Sequence, residues 1–227
     1  MKKIVLIFTL LIGFNVFSQP DPDIFQTWYL TFILSSDGGT PYTVSEINPQ
    51  ISPNLTISEN YSFNGQGACN TFLGTFAFPG TDYDFEIVNF EPTTLNCEIS
   101  IHNSFESEYF GFIQGPGWYE IEQDGTGLEL TLTNPIFGWA TFKNYPLSST
   151  DFKSENIKIY PNPVKSELFI EHMSEIQNVK IISSNGVIIK VLKPKHNKID
   201  LSDLRSGIYF LKVITDKGIE HKKLIKN

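Results

Sequence analysis

Phe72-Leu73-Gly74-Thr75-Phe76-Ala77-Phe78 carries the clearest structural pattern in the chain. Phe72, Phe76 and Phe78 alternate with small or polar residues, and successive side chains of a strand point to opposite faces. The pattern therefore predicts a strand with its rings turned inward. The same texture extends in both directions. Trp28-Tyr29-Leu30-Thr31-Phe32-Ile33-Leu34 is strongly β-prone, and Leu55-Thr56-Ile57, Tyr61-Ser62-Phe63 and the run from Tyr83 to Phe90 lie between Asn-, Gly- and Pro-containing turns. Trp118 to Glu122, Leu128 to Leu132 and Trp139 to Lys143 continue it. One stretch breaks the pattern. Ile101, Phe105, Tyr109 and Phe112 fall at spacings of four, four and three, with Glu106 and Glu108 between them, which predicts one short amphipathic helix. Residues 24–145 thus read as an antiparallel sheet with a single helix packed on it.

Residues 146–155 are polar and carry neither periodicity, so they read as a linker. From Ile157 a second all-β unit, 156–227, begins. Its strand-like runs are Ile157 to Tyr160, Leu168 to Ile170, Val179 to Ile182, Val187 to Leu192 and Ile208 to Ile214. Asn185-Gly186 and Lys217-Gly218 stand at tight-turn positions between such runs. About seven short strands in so short a unit describe a small β-sandwich. The whole chain is therefore mainly β.

The N-terminus reads differently. Lys2-Lys3 precede an apolar run from Ile4 to Phe14, and Val16 and Ser18 precede Gln19. A positive start, a short apolar run and a small residue make a signal peptide, 1–18, cleaved between Ser18 and Gln19. The run is too short to span a bilayer, which needs about 20 apolar residues, so no transmembrane span is expected.

Charge divides the chain. Residues 19–154 hold two lysines against 17 acidic residues, a net −15, whereas residues from Glu155 onward carry a net +5. A phosphate backbone would be repelled by the acidic segment, so nucleic acid is not an expected partner. The opposite charges motivate the expectation that the two units touch before any cleavage. Cys69 and Cys97 are the only cysteines, and in an oxidising compartment an even pair reads as a disulfide, the alternative being two buried free thiols.

The C-terminal unit resembles the type A C-terminal sorting domain of the type IX secretion pathway of Bacteroidota. The residues that carry the resemblance are Ile159-Tyr160-Pro161-Asn162-Pro163-Val164, Ser184-Asn185-Gly186, the run from Ile199 to Phe210 that contains Gly207 and Tyr209, and Lys222 to Asn227. It implies passage through periplasm and outer membrane by contact with the secretion machinery, to a secreted or cell-surface destination. It also implies removal of the domain afterwards. Pro161 and Pro163 withhold ladder donors and would hold the first strand at an edge. Gly207 suggests a close backbone approach. The basic end is a candidate docking surface for an acidic partner.

The middle segment resembles a META domain, of the type found in heat-inducible bacterial envelope proteins. Trp28-Tyr29-Leu30, the run from Phe63 to Phe76 around Cys69-Asn70, Thr94-Leu95-Asn96-Cys97, Glu106 or Glu108 with Phe110, and Leu128-Glu129-Leu130 carry this resemblance. Ala68 stands where the family usually has Gly, and insertions surround Pro79-Gly80 and Gly115-Pro116-Gly117.

Chemistry is sparse. His102 is the one histidine of the acidic segment and reads as ordinary helix surface; Glu120 and Glu122 share a strand face and read as solvated. Trp118, Tyr119 and Trp139 are candidates for sugar stacking, with core filling as the bland reading. Asp21-Pro22-Asp23 and Asp82-Tyr83-Asp84 lack the glycine and distal glutamate of a calcium loop, so neither metal nor cofactor is expected. The expectation is a non-enzymatic exported protein, a binding or envelope-stress module with an unknown extracellular ligand. The alternatives are an inhibitor or adhesin using loops near Gly38-Gly39 and Gly115 to Trp118, or a hydrolase centred on His102.

Overall fold

The computed structural model describes residues 19–35, 40–79, 83–125, 127–135, 138–146, 157–171, 175–184, 186–193, 197–215 and 218–227. The expected signal segment with Ser18, the Gly38-Gly39 loop and linker residues 147–155 lie outside the described residues.

The β-prone runs become strands β1 (Thr27–Leu34), β2 (Tyr42–Thr43), β3 (Asn54–Ile57), β4 (Ser62–Gln66), β5 (Thr71–Ala77) and β6 (Glu86–Pro92). Helix α1 (Ser100–Ile113) follows, then β7 (Trp118–Gln123), β8 (Leu128–Asn134) and β9 (Gly138–Lys143). They form one antiparallel sheet of nine strands in the order β6-β5-β4-β3-β1-β9-β8-β7, with β2 also pairing β1. The sheet curls until its two edges meet. Phe85 and Gly117, the residues just before β6 and β7, exchange both backbone hydrogen bonds at 3.1 Å.

Inside the curl lies an aromatic core that includes Trp28, Phe63, Phe72, Phe76, Phe105 and Tyr109. Phe72 and Phe76 of β5 are buried, and Phe78 packs partly buried against them. Two glycines make this packing possible. Gly65 stands opposite Phe72 and Gly74 opposite Phe63, and a Cβ on either would lie 2.3 or 2.4 Å from the facing ring. Each ring covers the bare backbone of its cross-strand partner, and fully burying such a side chain contributes about 2–3 kcal/mol.

Helix α1 forms where expected but is rolled. Ile101 is 38% exposed, whereas His102, Phe105, Glu106, Tyr109, Phe112 and Ile113 are buried. The roll follows from two polar side chains that have partners inside: His102 and Glu106.

Seven further strands follow: β10 (Lys158–Tyr160), β11 (Glu167–Glu171), β12 (Ile176–Ser183), β13 (Ile188–Leu192), β14 (Lys198–Asp200), β15 (Gly207–Thr215) and β16 (Gly218–Lys226). A three-stranded sheet, β10-β11-β14, faces a four-stranded one, β13-β12-β15-β16, across a separate aliphatic core that includes Leu168, Val179, Leu211 and Leu224. Strand β10 is an edge strand and ends at Tyr160, as its prolines require. Phe32, Leu34 and Trp139 of the large sheet share a third cluster with Ile182 and Phe210 of the sandwich.

Candidate functional site

Glu106 is the centre of the most ordered polar arrangement in the large sheet. Its position on the inner face of α1 aims the carboxylate at the loop between β4 and β5. Oε1 accepts hydrogen bonds from the backbone N–H groups of Ala68 (2.9 Å), Cys69 (3.0 Å) and Asn70 (2.8 Å). Oε2 accepts from Asn70 Nδ2. Asn70, 3% exposed, also donates to Leu95 O at 2.8 Å, while its Oδ1 accepts from Leu95 N (2.7 Å) and Thr93 Oγ1 (2.8 Å). Gly67 leaves the room, since a Cβ there would lie 2.5 Å from Glu106 Oε1. Cys69 and Cys97 form a disulfide with Cα atoms 5.5 Å apart, and Cys97 Sγ lies 3.4 Å from Glu106 Oε2. Side chain, backbone and disulfide thus fasten loop 67–70, loop 93–97 and α1 into one knot. The two sulfurs and the carboxylate lie within 4.8 Å of one another, but both thiols are consumed by the disulfide, so this is not a metal donor set.

The other acidic-segment candidates are also engaged. His102 is buried rather than on the surface, with Nε2 2.8 Å from Pro49 O. Glu108 accepts from Ser35 Oγ. Trp118 is 40% exposed and tilts against Tyr83, whereas Trp139 is 1% exposed. Tyr119 Oη accepts from Asp21 N at 2.7 Å. The loop from Gly115 to Trp118 packs tightly on β8: a Cβ at Gly117 would lie 2.2 Å from Thr133 O.

In the sandwich, motif residues far apart in sequence converge. Asn162 Nδ2 donates to Lys223 O (2.9 Å) and its Oδ1 accepts from Ile225 N (2.8 Å). Val164 then bonds Ile225 O and receives Asn227 N, at 2.8 and 2.9 Å. The Tyr160-Pro161-Asn162-Pro163 segment therefore lies along the free edge of β16, while Gly207 pairs with Lys226 and Tyr209 with Leu224 on its other edge. Tyr160, Ile208 and Ile225 remain exposed at this end. Gly207 does not make the close approach expected of it: a Cβ there would meet only Tyr209 Cε2, at 3.7 Å. Gly186 sits elsewhere, with φ +80° in the β12–β13 turn.

The META domain model matches residues 24–142, which contain the knot and all of the curled sheet but the last residue of β9. The chain belongs to the META domain family. A second model, the secretion system C-terminal sorting domain, matches residues 158–227. The META and sorting domains therefore occur in the expected order. No curated protein matches the chain. One solved NMR structure is 18% identical, covering 53% of this chain and 89% of its own, with a TM-score of 0.36. A structure of PorZ, a surface component of the type IX secretion system of Porphyromonas gingivalis, is 14% identical with a TM-score of 0.28. It covers 86% of this chain, which spans 25% of that protein. At these scores neither likeness bears on fold or function. Among the described residues no helix is long and apolar enough to cross a membrane.

Net charge raised a contact between the two units but gave none of the residues of this second arrangement, where the sorting domain rests on the META sheet. Glu120 is exposed, as expected, but Glu122 is half-buried, and both are paired with lysines. Lys180 Nζ lies 3.2 Å from Glu120 and 2.7 Å from Glu122. Lys212 Nζ lies 2.8 Å from both Glu122 and Glu129. Burial pushes the Glu122 carboxyl up, but Lys212 and the hydrogen bonds from both lysines outweigh it and hold it below its ordinary range. Burial raises Glu129 in spite of Lys212. Lys212 was detectable in sequence as a lysine inside the apolar run Phe210-Leu211-Lys212-Val213, a place where a charge needs a partner.

His221 stacks beside this contact, 5.8 Å from the Phe32 ring and 5.0 Å from Trp139. Burial first, then Lys212 and Lys143, hold its imidazole well below its ordinary value. The folded chain therefore keeps it neutral, while the unfolded chain protonates near pH 6.5. Stability is retained above that value and lost as pH falls below it. Stability should therefore fall progressively between about pH 6.5 and 5. Thermal unfolding of the full chain at several pH values measures it, and His221→Phe should flatten the acid side of the curve.

Proposed function

We propose that the chain is a precursor whose signal peptide is cleaved between Ser18 and Gln19. The type IX machinery then carries it across the outer membrane, and its META domain (24–145) acts outside the cell as a non-enzymatic binding or envelope-stress module. The observation that carries this reading is the sorting domain, whose Tyr160-Pro161-Asn162-Pro163 segment, Gly207, Tyr209 and closing strand meet at one exposed end. Apolar side chains beside Lys223 give that end the character of a recognition surface for the secretion machinery. The non-enzymatic part is supported by how the candidate catalytic groups are spent. Glu106 is saturated by backbone donors, His102 is bonded to Pro49 O, and Glu120 and Glu122 are paired with lysines. Neither family is an enzyme family, and this too favours a module over a hydrolase.

The test is to express the full chain and a chain ending at Glu155, fractionate both cultures and weigh the products. The expected result is truncated protein held in the periplasm, with full-length protein outside, beginning at Gln19 and lacking its C-terminal domain. Equal export of both forms would overturn the reading.

A further inference from the structure

The face of the META sheet opposite its core is not finished for solvent. Alternation along β7, β8 and β9 sends Glu120 and Glu122, Glu129, Thr131 and Thr133, and Trp139 and Thr141 outward together. Phe32 and Leu34 of β1 complete the surface. Three of these residues form an apolar patch apart from the main core: Phe32, Leu34 and Trp139 are 8%, 3% and 1% exposed and cluster with Ile182 and Phe210 of the sorting domain. Phe210 inserts its ring 6.0 Å from Phe32 and 5.7 Å from Trp139, with Ile182 beside it. The β12–β13 turn packs so closely that a Cβ on Gly186 would lie 2.7 Å from Thr133. Beside the apolar patch sit the carboxylates of Glu122 and Glu129, the latter 1% exposed, and both are answered by Lys212, itself 2% exposed.

None of this surface is needed to build the domain. The META core lies on the other side of the sheet, and the sandwich has its own aliphatic core. Lifting the sorting domain off would expose a contiguous patch of two aromatic rings and a leucine, next to carboxylates stripped of their lysines. Contiguous apolar patches on soluble proteins mark interaction sites, and a buried acid that loses its base is costly.

We infer that this face of the META sheet is a docking site for a protein surface presenting two lysines beside an aromatic residue. The sorting domain occupies it in the uncut chain, and a partner of the same chemistry takes it once that domain is gone. The inference rests on the reading that the sorting domain is removed, but its chemistry is testable without export. The acidic face selects its partner by charge, as the −15 and +5 segments do within the chain. In the uncut chain the linker keeps the occupant at high effective concentration; cutting removes that advantage.

The experiment uses the folded full-length chain with a protease recognition sequence inserted between Ser149 and Thr150. The chain is cut, the pieces are separated, and the released sorting piece serves as the probe in titrations against the META piece. The expected result is reassociation that weakens as salt rises, with an apolar-surface dye binding the separated META piece and being displaced by the sorting piece. Lys212→Met in the sorting piece should weaken binding by at least about 30-fold. Glu122→Gln in the META piece is the second variant, and it should weaken binding even where the lysine variant folds poorly. Pieces that never rebind, binding indifferent to both variants, or a META piece that closes the face by pairing with a second copy would each overturn the inference. Failure of export with intact reassociation would instead remove the secretion reading and leave the docking face standing.

Discussion

Glu106→Ala is expected to destabilise the META domain by about 3–5 kcal/mol, the largest effect of any single polar substitution in it. One carboxylate oxygen accepts from three successive backbone N–H groups, at 2.8–3.0 Å, and the other from Asn70. An alanine leaves those donors facing a cavity too enclosed for water to replace every bond, and each orphaned buried donor costs about 1–3 kcal/mol. The total is less than the sum, because removing a buried carboxylate also relieves its own desolvation. Glu106→Gln separates the terms. Its carbonyl can keep the three backbone donors, but its amide then meets Asn70 Nδ2, donor against donor. Asn70 cannot turn over to help, because its Oδ1 is held by Leu95 N and Thr93 Oγ1. A loss of about 1–3 kcal/mol is expected for glutamine. Urea unfolding of the three proteins measures both, with an unchanged denaturant slope as the control for compactness. An alanine variant within 1 kcal/mol of the parent would show that the knot does not hold the fold.

Why the inward position of Glu106 escaped sequence reading, which named the residue but not its burial, is a matter of what periodicity encodes. Phe105, Tyr109 and Phe112 announce an inward face because apolar burial repeats at helical spacing. A carboxylate on the same face reads as a flaw in that pattern, since its partners are backbone donors 36 to 38 residues away, which no local window contains. The strands were legible for the opposite reason: alternation is local, and Phe72 and Phe76 declare their side without reference to anything distant. Strand β14, with Ile199 as its one apolar residue, had no alternation to declare and forms because β11 offers it an edge. The META–sorting contact was legible only as a difference in net charge. Charge gives the sign of an attraction but not which lysine meets which glutamate; that is set by the register of β15 against β12 and β16.

Replacing Cys69 and Cys97 together by alanine should cost about 2–5 kcal/mol, with chain entropy alone accounting for about 3.5 kcal/mol from the 28-residue separation. The loop so closed contains β5 and β6, the hairpin that carries Phe72, Phe76 and Phe90 into the core. Freed of the cross-link, the unfolded chain gains the most from this segment, and the folded chain loses the tie between loops 67–70 and 93–97. Asn70 spans the same two loops through Leu95, and Glu106 grips the first of them. Disulfide and carboxylate therefore act on one element. A loop already loosened by the loss of either tether has less to lose with the other. The cysteine pair and Glu106→Ala combined should then fall short of the sum of their separate costs by at least about 0.5 kcal/mol in a double-mutant cycle. Reduction of the parent protein should reproduce the cysteine effect without mutation. Strict additivity would mean that the two fastenings hold different parts of the domain, and the single knot would have to be divided in two.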